Sequence, residues 1–352
     1  MYMLVFVAPT VAYADLHFLA LGDWGGLPIF PWSTPAQRRV GRAMGALAER
    51  QSSSFVLSLG DHFYWHGVKS ATDKRWQRTF KNVYRHPSLQ HPGFWRAIAG
   101  NHDHSGNVSA QMAFAALPNS PWYYPDHQYT WRETLEDERG TTVDFVMLDT
   151  QLLCGMPRRR PDRAAPKHWQ WAEKQLLDSD ADFLVVGGHY PVHSPSGHGP
   201  TRCLVKRLEP LLRKCRASVY FSGHDHALFH VGSSDPTAPQ YHGVGAGMAT
   251  SRSKRHIRTV PAGELQFFRT GVRLPLRGIT KGGFAGVSVS ADALTTTLYD
   301  EGGSVLHQHA VPPRTQKLRH AASSAVGAEA GSQVVAEGEE APGITAIVGP
   351  HG

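Results

Sequence analysis

The sequence lacks any apolar run of the roughly 18 residues that a membrane-spanning helix needs. It has only three cysteines in 352 residues and no Cys-x-x-Cys pair, which excludes a disulfide-built scaffold, a zinc knuckle and a thioredoxin-like redox site. No repeat of the solenoid type is visible. A hydrophobic content of 41% with 10% aromatic residues excludes a disordered or fibrous chain and predicts a globular fold with a sizeable core.

Acidic residues are the minority charge. The chain has 36 Lys and Arg against 29 Asp and Glu, a formal net charge of +7 and a pI near 9.4. This balance favours anionic partners, including phosphate-bearing molecules. The basic residues do not gather in one dominant helix or arm, so nucleic acid is not the expected partner. The 21 histidines are the more unusual feature, and the functional hypothesis depends on them.

The two ends of the chain differ in composition from its middle. Residues 1–14 form an apolar run ending in Ala12-Tyr13-Ala14, the small-x-small pattern of a signal-peptidase site. This run lacks a basic beginning, and a buried N-terminal strand is the alternative. Residues 318–352 contain no aromatic residue and are rich in Ala, Gly, Ser and Glu, which predicts disorder from Thr315. The predicted segments are a signal-peptide-like stretch at 1–14, one folded domain at 15–314 and a disordered tail at 315–352.

Short apolar runs alternate with helical patterns along the folded part. The runs predict strands buried on both faces, and they span Leu16–Leu21, Phe55–Leu59, Phe94–Ala99, Val143–Leu148, Phe183–Val186 and Ser218–Phe221. Apolar residues three and four positions apart predict four helices that pack on the core. These helices contain Val40 to Leu47 (after the cap Ser33-Thr34-Pro35), Trp76 to Val83, Trp169 to Leu176 and Leu204 to Leu212. The alternation predicts a layered α/β domain.

Residues of metal-binding types come at or shortly after the ends of five of these strands. The motifs are Gly22-Asp23-Trp24-Gly25, Gly60-Asp61-His62-Phe63-Tyr64, Gly100-Asn101-His102-Asp103, Gly188-His189-Tyr190-Pro191 and Gly223-His224-Asp225-His226. Each motif alone is an ordinary polar turn. Two histidines two positions apart in an extended segment point the same way, however, and can hold one or two metal ions. Because ligands bind beyond the carboxyl ends of strands in α/β sheets, five such motifs predict one shared site.

The order of these motifs resembles the calcineurin-like metallophosphoesterase superfamily. Most of its members have a histidine two residues after the first aspartate, where this chain has Gly25, and here Tyr64 stands three residues after Asp61. This replacement is typical of purple acid phosphatases. The strings GNHDHSGNVSAQ and FSGHDHALFH make the chain similar to the small tartrate-resistant members over roughly residues 15–310. The resemblance implies a four-layer α/β/β/α sandwich of two mixed β-sheets flanked by helices, with a catalytic domain at 15–314.

The resemblance also implies which residues hold two metal ions. A ferric ion would be bound by Asp23, Tyr64, His226 and the bridging Asp61. A second, divalent ion (iron, zinc or manganese) would be bound by Asp61, Asn101, His189 and His224. Oxygen and imidazole ligands without a thiolate suit these ions. A phenolate favours ferric iron in particular, and its charge-transfer band would colour the protein.

The implied function is that of an acid phosphatase, which hydrolyses phosphomonoesters by in-line attack of a metal-bound hydroxide. His102 and His198 match two histidines of the family and are candidates for protonating the leaving group, with hydrogen bonding to metal ligands as the alternative. Asp103 and Asp225 are expected to orient ligands. The expected substrates are small phosphomonoesters or phosphoproteins. The expected protein is a monomer without stable membrane insertion, either secreted or held in a lysosome- or vacuole-like compartment.

Two other functions are weighed against this one. A phosphodiesterase or nucleotidase would carry manganese or zinc in both sites, and Tyr64 together with Gly25 argues against it. A metal-binding module without catalysis is the alternative from another class. The presence of all seven expected ligands argues against such a degenerate site.

The cysteines and one asparagine bear on the compartment. The resemblance implies a disulfide between Cys154 and Cys203, which would leave Cys215 as a buried thiol facing the core on the fourth helix. Asn107-Val108-Ser109 is a glycosylation sequon and agrees with secretion.

Some positions depart from the family pattern. His62 and His193 replace the usual asparagine and tryptophan, and neither is an expected ligand. The basic segment from Met156 to Lys167 falls where mammalian relatives have a protease-sensitive loop, and a merely solvated loop fits it equally well. A second basic cluster could attract anionic substrates or could simply be solvated; it consists of Arg252, Lys254, Arg255 and Arg258.

Overall fold

Two β-sheets form the centre of the fold. The computed structural model describes residues 15–155, 163–235, 237–271 and 280–314. The first sheet consists of β1 Leu16–Leu21, β2 Phe55–Leu59, β3 Trp95–Ile98, β4 Trp122–Tyr123, β12 Gly283–Val289, β13 Leu294–Asp300 and β14 Val305–Val311. Their spatial order is β14–β13–β12–β1–β2–β3–β4.

The second sheet also has seven strands in the described part of the chain. It consists of β5 Tyr129–Thr134, β6 Thr142–Leu148, β7 Phe183–Gly188, β8 Val219–Ser222, β9 Leu228–Val231, β10 Gln240–Val244 and β11 Leu265–Arg269. Their spatial order is β11–β9–β10–β8–β7–β6–β5. Both sheets are mixed, as the resemblance implies.

Parallel strands at the centre of each sheet bring their carboxyl ends to one edge. In the first sheet β1, β2, β3 and β4 are parallel, whereas β12 runs antiparallel to β1. In the second sheet β6, β7, β8 and β10 are parallel, whereas β5, β9 and β11 pair antiparallel with their neighbours. This arrangement decides where residues that follow the central strands are placed.

The main core lies between the sheets. The rings of Phe18 and Phe55 from the first sheet contact Phe145 of the second, with centroids 5.3 and 5.2 Å away. Burial of one such phenylalanine contributes about 1.5 to 3 kcal/mol. Strands β2 and β8 are buried along their whole length, as their continuous apolar sequences predict.

One long helix covers the outside of the first sheet. Helix α1, Pro35–Gln51, begins where Thr34 Oγ1 accepts a hydrogen bond from Gln37 N at 3.0 Å. Pro35 occupies the first turn, where its missing N–H costs nothing. Its buried face, with Met44 and Leu47, joins the core formed with β1 and β12.

Helices also cover the outside of the second sheet. These are α5 Ala165–Asp178 and α6 Arg202–Lys214. Three short helices come before them in the chain: α2 Asn101–His104, α3 Val108–Ala115 and α4 Thr150–Cys154. Trp169 of α5 and Leu208 of α6 pack with Val146 and Leu184, on the sheet face that points away from the main core. The predicted four-layer α/β/β/α sandwich is therefore confirmed.

Two local predictions hold only in part: the segment around Trp76 is helical but not α-helical, and Cys215 packs against the core but is less buried than predicted. The segment around Trp76 and Phe80 forms a π-helical turn, Trp76–Lys81, and not an α-helix, because an apolar spacing of four and three does not distinguish the two kinds of turn. Cys215 follows the last residue of α6 and is half-buried. Its Sγ lies 3.5 Å from Leu212 O, and burial raises the pKa of the Cys215 thiol to about 11.

The structure joins Cys154 at the end of α4 to Cys203 in α6 by a disulfide, as the resemblance implies. The exposed Asn107 caps α3, where its side-chain oxygen accepts from Ala110 N at 3.1 Å. The predicted segments at 1–14 and 315–352 lie outside the described residues, as do residues 156–162 of the basic segment. Among the helices that the structure describes, none has the length and apolar character needed to cross a membrane.

Candidate metal centre

Strand ends from both sheets meet at one edge. Strands β1, β2, β3, β7 and β8 are each followed by one of the five predicted motifs. Glycines allow the close approach: a Cβ on Gly22 would lie 2.9 Å from Gly223 Cα, and a Cβ on Gly100 would collide with Asp61 Oδ1. The contacts described below bring all seven predicted ligands together at this edge: Asp23, Asp61, Tyr64, Asn101, His189, His224 and His226.

Asp23, Tyr64 and His226 form one half of the cluster. The Tyr64 hydroxyl donates to Asp23 Oδ1 at 2.8 Å and lies 2.8 Å from His226 Nε2. The same imidazole nitrogen is 3.4 Å from Asp23 Oδ1. Asp23 and Tyr64 are buried. A carboxylate, a phenol and an imidazole therefore point toward one another, at distances that one ion could span.

Asn101, His189 and His224 lie with Asp61 in the other half. His189 Nε2 is 3.1 Å from Asn101 Oδ1 and 3.4 Å from Asp61 Oδ2. Ligand atoms of Asp61, His189 and His224 all lie within 4.8 Å of one another. The other ring nitrogen of His189 donates to the backbone oxygen of Leu59 at 2.8 Å, which leaves Nε2 as the nitrogen available to a metal.

Asp61 lies between the two halves. Its carboxylate lies 3.4 Å from His189 Nε2 in one half, and its charge raises the pKa of the Tyr64 phenol in the other half. The backbone N–H of His102 donates to Asp61 Oδ1 at 2.9 Å. This position agrees with the bridging role that the resemblance implies.

Three of the candidate ligands have left-handed backbone conformations. Asp23 has φ of 57°, Asp61 of 54° and His224 of 67°. For residues other than glycine this conformation costs of order 1 to 3 kcal/mol and is concentrated at functional sites. The surrounding fold therefore stabilises a backbone arrangement that these residues would not adopt by themselves.

The two histidines after β8 lie in different halves of the cluster, although the segment that carries them is not extended as the spacing argument assumes. The segment turns instead of extending, with Asp225 N donating to Gly223 O at 2.8 Å. His224 lies with Asp61 and His189, whereas His226 lies with Tyr64 and Asp23. The turn therefore places His224 in one half of the cluster and His226, two residues later, in the other half.

The buried charged groups of the cluster shift one another's pKa values strongly. Burial raises the pKa of Tyr64, and the Asp23 and Asp61 carboxylates raise it further. Burial also raises the pKa of Asp61, but the charge and hydrogen bond of His189, with a contribution from His102, outweigh it and hold this pKa below its usual range. Burial lowers the pKa of His189, yet attraction to Asp61 raises it to about 10. A cation bound here would take the place of these protons.

The donor chemistry fits two metal ions. Carboxylate, phenol, amide and imidazole groups are present, and no thiolate stands among them, which suits iron, zinc or manganese. Asp23 and His189 are fully buried, and Asp61 is 2% exposed. The two buried carboxylates, Asp23 and Asp61, need compensating positive charge. The side chains therefore match the binuclear centre predicted from the sequence.

The two candidate acid catalysts lie beside the cluster. His102 Nδ1 is 2.7 Å from the backbone oxygen of Trp65, and its Nε2 is 3.9 Å from Asp61 Oδ2. The His198 ring lies over His224, with centroids 4.2 Å apart. Both rings therefore contact the cluster without belonging to its tightest contacts.

Asp103 and Asp225 hold backbone segments, as expected of orienting residues. Asp103 Oδ2 accepts from Gly100 N at 2.9 Å, which fixes the turn before Asn101. Asp225 Oδ1 accepts from His198 N at 2.9 Å, which fixes the segment carrying that histidine.

The two departures from the family pattern are also accounted for. His62 is buried, and its Nδ1 lies 2.9 Å from Gln111 Oε1. His193 Nε2 lies 3.1 Å from Glu209 Oε2. Neither imidazole makes a hydrogen bond to a candidate ligand side chain among the described contacts.

One neighbouring group escaped the sequence analysis. His104, His127 and Asp149 offer ligand atoms within 4.8 Å of one another. A signal existed for Asp149, which directly follows β6 in the way that the other polar residues follow their strands. No spacing rule could connect it with His127.

Part of the second basic cluster lines a cavity near the site. The cavity has a volume of 580 Å³, and Arg252, Lys254 and Thr270 are among its lining residues. Ser251, which directly precedes Arg252, donates a backbone hydrogen bond to His226 O at 2.6 Å and so connects the lining of the cavity with the cluster.

Comparison with known proteins gives consistent matches. Residues 9–228 match the family model described as calcineurin-like phosphoesterase. Tartrate-resistant acid phosphatase type 5 of Oryctolagus cuniculus is 38% identical over 314 residues, which is 87% of this chain and 93% of that protein. Purple acid phosphatase 7 of Arabidopsis thaliana is 30% identical over 318 residues, 86% and 88% of the two chains. The solved structure of GAP50, the anchor in the inner membrane complex of Plasmodium, superposes with a TM-score of 0.73 at 22% identity, over 93% of this chain and 99% of that one.

Proposed function

The chain belongs to the calcineurin-like phosphoesterase family and is an acid phosphatase of its purple, tartrate-resistant kind; on this basis we propose which residues bind the metal ions and which take part in proton transfer. Two ions are held at the strand ends, one by Asp23, Tyr64, His226 and Asp61, the other by Asp61, Asn101, His189 and His224. The observation that carries this proposal is the position of Asp61, whose carboxylate lies 3.4 Å from His189 Nε2 in one half and raises the pKa of Tyr64 in the other half.

We further propose ferric iron for the half that contains Tyr64 and a divalent ion (iron, zinc or manganese) for the other. A buried phenol whose pKa is raised by burial and by two carboxylates ionises only beside a strongly charged cation. The amide and two imidazoles of the other half suit a divalent ion. When bound, the two cations polarise the phosphate ester and make water acidic enough to supply the nucleophile at low pH.

His102 is proposed as the proton donor to the leaving alkoxide. Its Nδ1–H donates to the Trp65 carbonyl oxygen at 2.7 Å, so Nε2 is the nitrogen that would deliver the proton. That nitrogen faces the cluster, 3.9 Å from Asp61 Oδ2. General acid catalysis of this kind contributes about 10²- to 10⁴-fold.

His198 is proposed to assist His102 from its position beside His224. Its ring contacts that of His224, and its backbone N–H is held by the buried Asp225. A side chain fixed in this way can bind a phosphate oxygen or share the proton transfer with His102.

The surroundings of the site support phosphomonoesters and phosphoproteins as substrates. The basic cavity lined by Arg252 and Lys254 draws anions toward the cluster. Trp65 is 55% exposed, and its ring lies 5.4 Å from that of His102, so it offers an apolar surface to the alcohol part of the ester. A monomer acting on such substrates, without nucleic acid, fits these features.

Secretion or a lysosome-like compartment is the proposed location. The disulfide between Cys154 and Cys203 is typical of oxidising compartments. The sequon residue Asn107 is exposed, so a glycan could be attached there.

Metal analysis, a visible spectrum and one substrate assay test the proposal together. The purified protein should contain one iron and one further ion per chain, should be coloured, and should hydrolyse p-nitrophenyl phosphate faster near pH 5 than near pH 8. A colourless, iron-free protein that prefers a phosphodiester would contradict the metal assignment.

A further inference from the structure

A second set of metal-binding side chains lies outside the seven candidate ligands. It consists of His104, His127 and Asp149, whose ligand atoms all lie within 4.8 Å of one another. None of the three takes part in the contacts that form the binuclear cluster. We propose that this triad binds a further divalent transition-metal ion, with Zn²⁺ as its representative.

The two imidazoles converge on a single carboxylate oxygen. His104 Nε2 lies 2.7 Å from Asp149 Oδ2, and His127 Nδ1 lies 3.2 Å from the same oxygen. The rings are nearly parallel, with an interplanar angle of 14° and centroids 6.0 Å apart. The ligand atoms of a tetrahedral zinc site, each about 2.0 to 2.2 Å from the metal, lie about 3.3 Å from one another. Small side-chain movements therefore convert the present contacts into coordination.

The carboxylate is already fixed for this role. Asp149 Oδ1 accepts a hydrogen bond from Leu152 N at 3.1 Å and caps α4. The other oxygen, Oδ2, is the one that faces both imidazoles. Hydrogen bonding to the outer oxygen of a ligating carboxylate orients it and is a common feature of metal sites.

Solvent can reach the triad from one side. The side chain of Asp149 is completely buried, that of His104 is 15% exposed, and that of His127 is 32% exposed. An ion can therefore enter past His127, and water can fill its remaining coordination positions. Two histidines and one carboxylate with open positions suit divalent transition metals such as zinc or iron(II).

The ion would fasten three separate segments. His104 is the last residue of α2, which begins with Asn101. His127 lies between β4 and β5, strands of different sheets, and Asp149 lies between β6 and α4. Occupation of the triad would therefore restrain the short helix that carries Asn101 and His102, from the end opposite to the binuclear cluster.

A hydrogen-bonded triad without an ion would show the same contacts, so the test counts metal directly. The holoenzyme, with its iron content and visible spectrum recorded first, is titrated with Zn²⁺ near pH 7.5. The wild type should bind one Zn²⁺ beyond its original metals, with a rise in melting temperature. His127→Gln and His104→Gln should each weaken this binding by at least about tenfold while keeping iron and colour.

His91→Gln is the matched control, because His91 is exposed and its ring contacts Phe94. This variant should bind the additional Zn²⁺ as the wild type does. Absence of an additional ion in the wild type would overturn the proposal, and so would undiminished binding by His127→Gln. Because iron and colour are measured separately, failure here is distinguishable from failure of the binuclear assignment, on which the triad does not depend.

Discussion

The hydroxyl of Tyr64 donates a hydrogen bond of 2.8 Å to Asp23, across 41 residues of sequence. Tyr64 follows the second strand and Asp23 the first, so the contact exists only because the two strands are parallel neighbours. The same hydroxyl lies 2.8 Å from His226, which follows a strand of the other sheet. A phenol is thereby held in an anionic pocket from which a ferric ion would remove its proton.

Tyr64→Phe should remove the colour and weaken iron binding by roughly 10- to 100-fold. Phenylalanine fills the same volume, so the fold should persist while the phenolate is lost. Visible absorption and iron content per chain give the measurement. Tyr84→Phe is the control, because Tyr84 is also buried but its hydroxyl has no hydrogen-bond partner among the described residues. Undiminished colour in Tyr64→Phe would exclude a charge-transfer role for this residue.

His102→Ala should leave the metal content unchanged and lower kcat by about 10²- to 10⁴-fold for alkyl phosphates. The loss should be smaller for p-nitrophenyl phosphate, whose leaving group needs little protonation. Comparing kcat for the two substrates across pH gives the measurement, with the exposed His66→Ala as control. Loss of metal from His102→Ala would mean that this imidazole is a ligand.

Stability should fall in acid because of four histidines between the sheets, namely His230, His242, His307 and His309. The rings of His230 and His242 stack at 4.3 Å, and His307 Nε2 lies 2.9 Å from His230 Nδ1. Burial lowers the pKa of all four, in the case of His230 to about 3. Since the unfolded chain binds these protons near pH 6.5 and the folded chain does not, the stabilisation is present above that pH. This stabilisation is lost as the pH falls toward 3. At pH 5 the loss in the free energy of unfolding is roughly 2 kcal/mol for His230 alone.

The measurement is the free energy of unfolding in denaturant at pH 7 and at pH 5. His230→Leu should be less stable than the wild type at pH 7, because it loses the contacts to Gln240 and His307, but its stability should depend less on pH. His91→Gln should keep the wild-type pH dependence. An equally steep dependence in His230→Leu would show that other groups cause the loss in acid.

The disulfide should raise the free energy of unfolding by about 4 kcal/mol, because it closes a loop with a sequence separation of 49 residues and so lowers the entropy of the unfolded chain. The double variant Cys154→Ala with Cys203→Ala should unfold at correspondingly lower denaturant, and reduction of the wild type should have the same effect. Cys215→Ala is the control, since this thiol is not in the disulfide. If reduction leaves the unfolding midpoint unchanged, the bond does not stabilise this fold.

Much of the fold could be predicted from local patterns. Continuous apolar runs identified six of the strands to within two residues at either end, because burial on both faces leaves few polar positions in them. The cap Thr34-Pro35 identified the start of α1. The strands from Leu228 onward were not predicted, since histidines, threonines and glycines interrupt their apolar character and pairing with distant strands stabilises them.

The sequence by itself determined the chemical types of the site, because the order of motifs after successive strands names carboxylate, phenol, amide and imidazole donors. The resemblance implied how these donors divide between two ions, but only the tertiary structure decided the contacts that place each donor in one half. His224 and His226, two residues apart, turn to different halves of the cluster, and His127 joins His104 and Asp149 from a loop that no motif marks. The physical reason is that the sequence specifies the type of each side chain, whereas its direction depends on the backbone turn that packing imposes at each strand end.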